Sequence, residues 1–297
     1  MVIDCHAHLG DFKFHQYFDK EPKFSDPDEF NDILERYNFD KAIVIPDPWT
    51  DYFDIESSDK EAMSVSSKNK PPYAEENNYI LEMSNKFEKI CPAINISCHR
   101  NHTNEEDVKK ILEEEEDVSA LKFHTTQNHS YIEDLFETGF LDLADRFDLP
   151  FIVHLTKYEL QGSSSIPSFG KPTALASVAE QCPEVNFIGA HAGRFSRKFL
   201  KRTRDLENLH FDVSPPNYLT EDESLWAEDA VEIPDSGVSM VEKMIQGYPD
   251  SVLWGSDFPL GKGSSKGVER DFIDYKKLRG DVKKKLEENA RKVFKIE

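Results

Sequence analysis

The chain opens on two histidines one residue apart, His6 and His8 in Val-Ile-Asp-Cys-His-Ala-His-Leu-Gly, and later segments end in residues that could join them. These are His154 in Phe-Ile-Val-His-Leu, His191 in Gly-Ala-His-Ala-Gly-Arg and Asp257 in Trp-Gly-Ser-Asp-Phe-Pro, with Lys122 and His124 in Leu-Lys-Phe-His between them in the chain. Imidazole nitrogens and carboxylate oxygens ligate divalent cations, and the same groups move protons near neutral pH. Each also has an ordinary reading. A lone histidine in an apolar strand is more often a hydrogen-bonded core residue than a ligand, and Asp257 could merely cap the turn before Pro259. Yet several imidazoles and a carboxylate at the ends of apolar strands are expensive to bury unless something replaces their hydration, which a cation does well. His15, His99, His102, His129 and His210 lack that placement and read as loop or surface residues.

The elements that would position these side chains follow from hydrophobic runs bounded by breakers. Eight segments read as strands, mostly continuous and β-branched as strands buried on both faces should be: 2–6, 41–46, 89–96, 118–124, 150–155, 185–191, 209–214 and 251–257. Helical spacing lies between them. Asp26-Pro27-Asp28-Glu29 supplies an N-cap, a proline at the first helical position and an acid in the first turn, and Thr103 with Glu106 repeats the capping-box spacing. Residues 131–147, 173–182, 195–206, 238–248 and 281–294 continue the alternation. Eight strand–helix repeats without a Gly-x-Gly-x-x-Gly turn after the first strand predict a (β/α)8 TIM barrel, one domain over residues 1–297, rather than a doubly wound sheet. Side chains two apart share a face, so His6 pairs with His8 and Lys122 with His124. Two long connections, 47–76 with Trp49 and Phe53 and 215–235, would emerge over the C-terminal face, where barrels of this kind place their active sites.

Charge and composition exclude other classes. Acidic residues outnumber basic ones by 57 to 36, a net charge of -21, which opposes binding to nucleic acid or an anionic membrane. No apolar run has the roughly 18 residues of a membrane helix, and the first residues do not resemble a signal peptide, so the expected location is cytoplasmic. Cys5, Cys91, Cys98 and Cys182 form no Cys-x-x-Cys pair and read as reduced thiols. Homo-oligomerisation is left open.

His-Ala-His after the first strand, His154 on the fifth, His191 in Gly-Ala-His-Ala-Gly-Arg, Asp257 in Trp-Gly-Ser-Asp-Phe-Pro and the closing segment 288–294 together resemble the amidohydrolase superfamily. The resemblance spans the chain, and it is greatest to the branch that includes aminocarboxymuconate-semialdehyde decarboxylase. It implies that His6, His8, His154 and Asp257 ligate one metal ion, Zn²⁺ first, with Mn²⁺, Fe²⁺ or Co²⁺ also suited to three imidazoles and a carboxylate. It further implies a water whose pKa the ion lowers to about 7, Asp257 as its proton acceptor, and His191 as a neighbouring acid, base or electrostatic stabiliser. In binuclear members a lysine at the position of Lys122 is carboxylated and bridges two metals; the branch resembled here favours a single ion.

The substrate must be inferred from residues past the strand ends. Lys157, Arg194, Arg197 and Lys262 bring positive charge to the mouth of an acidic protein, which suits a small carboxylated substrate, with Lys122, His124, Arg194 and Trp49 as candidate contacts. The competing reading has Arg194, Arg197 and Lys198 decorating the start of a solvent-exposed helix. Three functional classes remain: a metal-dependent hydrolase of an amide, ester or lactone, a non-oxidative decarboxylase using the same site, and a non-catalytic binding protein, which would have no need for the full ligand set.

Overall fold

Strands that are apolar on both faces must be covered on both, and here the chain rolls them into a cylinder. The computed structural model describes residues 1–12, 23–46, 73–98, 105–128, 130–155, 169–221, 223, 226–259 and 265–296. Nine strands run β1 (Ile3–Phe12), β2 (Lys23–Ser25), β3 (Lys41–Pro46), β4 (Ile90–Ile96), β5 (Ala120–His124), β6 (Phe151–His154), β7 (Phe187–Gly189), β8 (Leu209–Val213) and β9 (Val252–Trp254). All but β2 are parallel and pair in chain order from β1 to β9. A parallel bridge from Ala7 to Phe258, just past β9, nearly closes them into a (β/α)8 TIM barrel. β2 is an antiparallel flap on the outer end of β1, with Ser25 Oγ donating to His8 O at 3.0 Å. At three residues it is too short to show a period in the sequence.

Alternation along the strands divides the core in two. Ile43, Ile45, Ala93, Ala120, Ile152, Ile188 and Leu253 fill the barrel interior, together with Ala290, Val293 and Phe294 of the final helix, α11 (Gly280–Phe294). Their neighbours Ala42, Val44, Phe151, Val153, Val252 and Trp254 pack outward in the larger cluster. α11 therefore seals the end at which the strands begin, leaving polar side chains to the other end. Lys122 and His124 share the inward face of Ala120, as the alternation predicts.

The helices begin where the sequence placed them, with local exceptions. α1 (Pro27–Tyr37) is capped by Asp26, which accepts from Asp28 N at 2.9 Å. Residues 131–147 are not one helix: a 3-10 turn (Ile132–Glu137) and a helix (Phe140–Phe147) break at Gly139. The connection after β3 gives way to a helix at Tyr73, earlier than expected, and the connection after β8 carries a short helix (Pro216–Glu221). Trp49, Phe53, Lys157 and Lys262 lie outside the described residues. Among the described residues no helix is long and apolar enough to cross a membrane.

His210 corrects its reading as a surface residue. It lies on β8 with the inward parity of Asp212, is 2 % exposed, and is held down to about 4 by burial and then by the charge of Lys292 on α11. The unfolded chain binds this proton below about 6.5 and the folded chain only below about 4, so its contribution is intact above 6.5 and is lost as the pH falls through that window. Replacing His210 with Gln should make the loss of stability between pH 6.5 and 4 shallower, by on the order of 3 kcal/mol at the acid end. Denaturant midpoints measured across that range test it, and an unchanged slope would contradict the burial argument.

Candidate metal centre

The closure of the barrel is also what assembles the site. The β1–β3 register shifts between Asp4 and Ala7, a bulge that turns the strand so that Ile3 and Cys5 face inward before it and His6 and His8 after it. His6 and His8 therefore lie within β1 rather than beyond its end, as the sequence suggested. Opposite them, Asp257 N donates to His6 O and His8 N to Phe258 O, both at 2.7 Å. Asp4, fully buried, accepts from Ser256 N at 2.9 Å and from His6 N at 3.2 Å, fastening the two segments from below. Gly255 permits this approach, since a Cβ there would lie 2.6 Å from His6 Cβ.

The result is a convergence of three ligand atoms. His6 Nε2 and His8 Nε2 stand 3.1 Å apart, with Asp257 Oδ1 at 3.6 and 3.3 Å from them, all mutually within 4.8 Å. His6 Nδ1 meets Asp212 Oδ2 at 2.8 Å, which assigns the proton to Nδ1 and leaves Nε2 with its lone pair turned to the centre. Asp257 Oδ1 is fully enclosed and accepts no well-formed hydrogen bond. Lone pairs of this kind, brought together in a buried space, fit a divalent cation of the borderline class.

A second set of imidazoles adjoins the first. His191 Nδ1 lies 2.7 Å from Ser214 O and so carries a proton, leaving Nε2 to accept from His154 Nδ1 at 3.1 Å. With its proton on Nδ1, His154 has a bare Nε2, the state of a ligand. It is not part of the three-residue cluster in this arrangement but stacks on His124 with ring centroids 3.9 Å apart. The His191 ring centroid is 5.3 Å from that of His6.

Electrostatics keep these groups in ligand form. Burial first, then nearby positive charge, holds His8 down to about 4 and His191 to about 3, and pushes His124 and His154 well below the usual imidazole range. Lys122, 1 % exposed, contributes to the shifts of His8, His124 and His154. Burial would raise Asp212 and Asp257, but the charges and hydrogen bonds around them prevail. His6, His191 and Ser214 hold Asp212 at about 2, and His8, His191 and His6 keep Asp257 well below the ordinary carboxylate range. For Asp4 burial prevails and pushes it up to about 7.

Arg194 sits beside this set, although not on a helix. Residues His191 to Phe195 all have φ between 53° and 59°. Gly193 must be glycine, because a Cβ would lie 2.2 Å from Phe199. The others each bear a left-handed cost of roughly 1–2 kcal/mol. Ala227 N to Arg194 O at 2.8 Å and Val231 N to Phe195 O at 3.0 Å hold the turn. Arg194 is buried, with Nε donating to Leu155 O at 2.6 Å, whereas Arg197 and Lys198 lie exposed on the helix that begins at Arg197. The helix-decoration reading thus holds for those two residues and fails for Arg194.

Two residues of the site escaped the sequence reading. Asp212 joins four groups: His6 Nδ1, His191 N at 3.0 Å, Ser214 N at 3.2 Å and Ser214 Oγ. Asp4 is the other. Both are carboxylates inside apolar strands, the signal that singled out Asp257.

Comparison with known proteins bears on this geometry. A family model described as "Amidohydrolase" matches residues 3–296. No curated protein matches. Among solved structures, a probable 2-pyrone-4,6-dicarboxylic acid hydrolase from Acinetobacter baumannii with citric acid bound is similar at TM-score 0.61 and 13% identity, covering 99% of both chains. 5-Carboxyvanillate decarboxylase from Sphingomonas paucimobilis is similar at TM-score 0.64 and 10% identity, covering 100% of this chain and 99% of that one. The same enzyme from Novosphingobium aromaticivorans, complexed with manganese and 4-hydroxy-3-methoxy-5-nitrobenzoic acid, gives 0.63 and 12%, covering 100% and 96%. At these identities the likeness establishes the fold.

If Asp212 orients His6, replacing Asp212 with Asn should weaken divalent-metal affinity by roughly 10- to 100-fold with the far-UV circular dichroism unchanged. Competition against a fluorescent chelator measures this, and an affinity equal to that of the wild type would contradict the assignment.

Proposed function

We propose, from the premise that this chain belongs to the amidohydrolase family, that it is a metal-dependent hydrolase acting on an amide, ester or lactone carbonyl of a small carboxylated molecule. The observation that carries the reading is the convergence of His6 Nε2, His8 Nε2 and the enclosed Asp257 Oδ1 at the mouth of the barrel. His154, through its bare Nε2, completes the set for a single ion, Zn²⁺ first and Mn²⁺, Fe²⁺ or Co²⁺ after it. A divalent cation there supplies Lewis-acid polarisation of the carbonyl and acidification of water.

The remaining work falls to side chains. Asp257, ionised at neutral pH, takes the proton of the attacking water and returns it to the leaving group. His191 fixes the tautomer of His154 and, adjoining His6, stabilises charge on the substrate oxygen. Lys122 and His124, on the inward face of β5, line the approach to the substrate with Trp49. The carboxylated substrate is supported by the acids bound in the neighbouring structures. One domain over residues 1–297 agrees with the extent of the family match, and the free thiols of Cys5, Cys91, Cys98 and Cys182 suit the cytoplasm.

A second reading is a non-oxidative decarboxylase of the branch resembling aminocarboxymuconate-semialdehyde decarboxylase. The two 5-carboxyvanillate decarboxylase structures, with the same fold, favour it. Metal-loaded protein offered lactones, esters and carboxylated aromatics should release acid without CO₂. CO₂ release would establish the lyase instead. Replacing Asp257 with Asn should lower kcat by roughly 10²- to 10⁴-fold, and retained turnover would contradict its role in moving the proton.

A further inference from the structure

A buried guanidinium needs an anionic partner, and Arg194 has none within the protein. It is 9 % exposed, yet among the described residues no carboxylate lies within 4.0 Å of it, and its only hydrogen bond runs from Nε to Leu155 O. The terminal nitrogens are not among the enclosed atoms lacking a partner, so they are the part of the side chain left open to the mouth. Its charge is felt by His191 and His154, which places it beside the second set of imidazoles. Asp212 and Asp257 also influence it, but their oxygens face His6, His8, His191 and Ser214.

The backbone adds an independent observation. Arg194 stands at φ 53°, where glycine would be free of strain, and burial pushes its pKa down to about 10, still charged at neutral pH. A residue both strained and desolvated points to a function that the fold alone does not require.

We propose that Arg194 is the specificity-determining residue of the pocket and clamps one carboxylate of the substrate end-on through its two terminal nitrogens. Leu155 O occupies Nε and fixes the plane of the guanidinium, so the free edge matches the two oxygens of a carboxylate. The inference rests on the substrate reading above, and it sharpens that reading to a compound whose carboxylate and reacting carbonyl are held separately, one by Arg194 and one near Asp257.

Benzoate and its neutral isostere benzamide probe this directly, titrated against the full chain in metal-free and zinc-loaded form. The metal-free arm isolates Arg194 from carboxylate ligation to the ion. Wild-type protein should prefer benzoate by about tenfold or more in both forms. Arg194→Gly, which suits the left-handed backbone, should abolish that preference, and Arg194→Lys, a point charge without the fork, should fall between. Zinc content should be the same in all three proteins, so a failure to take up zinc tells against the metal centre while the benzoate preference tests Arg194 alone. The proposal is overturned if the wild type shows no preference or Arg194→Gly keeps it. Tighter Arg194-dependent binding of inorganic phosphate than of benzoate would likewise overturn the carboxylate assignment.

Discussion

The site depends on how the first strand meets the last. A parallel barrel closes only when its first and final strands come into register, and here they do so through Asp257 N to His6 O, His8 N to Phe258 O, and the buried carboxylate of Asp4 on Ser256 N. Those contacts would stabilise any barrel. In this one they also set His6, His8 and Asp257 face to face, because the ligands are the closing residues themselves. The bulge in β1 and the absence of a side chain at Gly255 are what allow the two backbones to approach so closely.

A second constraint keeps the assembled imidazoles neutral and correctly protonated. Asp212 fixes the proton of His6 and holds the backbone of His191, and Ser214 O fixes the proton of His191, which in turn fixes that of His154. The tautomer of each ring is thus set by a neighbour whose own position is set by a strand end. Burial reinforces this by disfavouring the imidazolium forms. The left-handed turn from His191 to Phe195 continues the same network and brings Arg194 beside it, strained and buried where an exposed helix residue would have been neither.

Much of this was legible in the amino-acid order, for reasons that also explain the rest. Strand β3 spans Lys41–Pro46, the limits drawn from sequence, because its apolar run is sharply bounded. The pairing of inward residues followed from alternation, as at Lys122 and His124. The bulge in β1 was hidden because its cause lies about 250 residues downstream, at Ser256 and Asp257, beyond any local pattern. The left-handed turn was hidden because four of its five residues are not glycine. Asp212 and Asp4 could have been found by the rule that picked out Asp257, and His210 by strand parity with Asp212. Their segments were read for apolar runs rather than for the polar residues within them.

The most direct test of this account is the metal content of the full chain purified without added metal. The convergence of His6, His8 and Asp257 predicts a single divalent ion per chain, retained through dialysis, and absent from the His6→Ala/His8→Ala variant whose circular dichroism matches the wild type. A wild-type protein that holds no ion, or a double variant that keeps one, would contradict the assignment of this cluster as the metal centre, and a second ion per chain would overturn the mononuclear site.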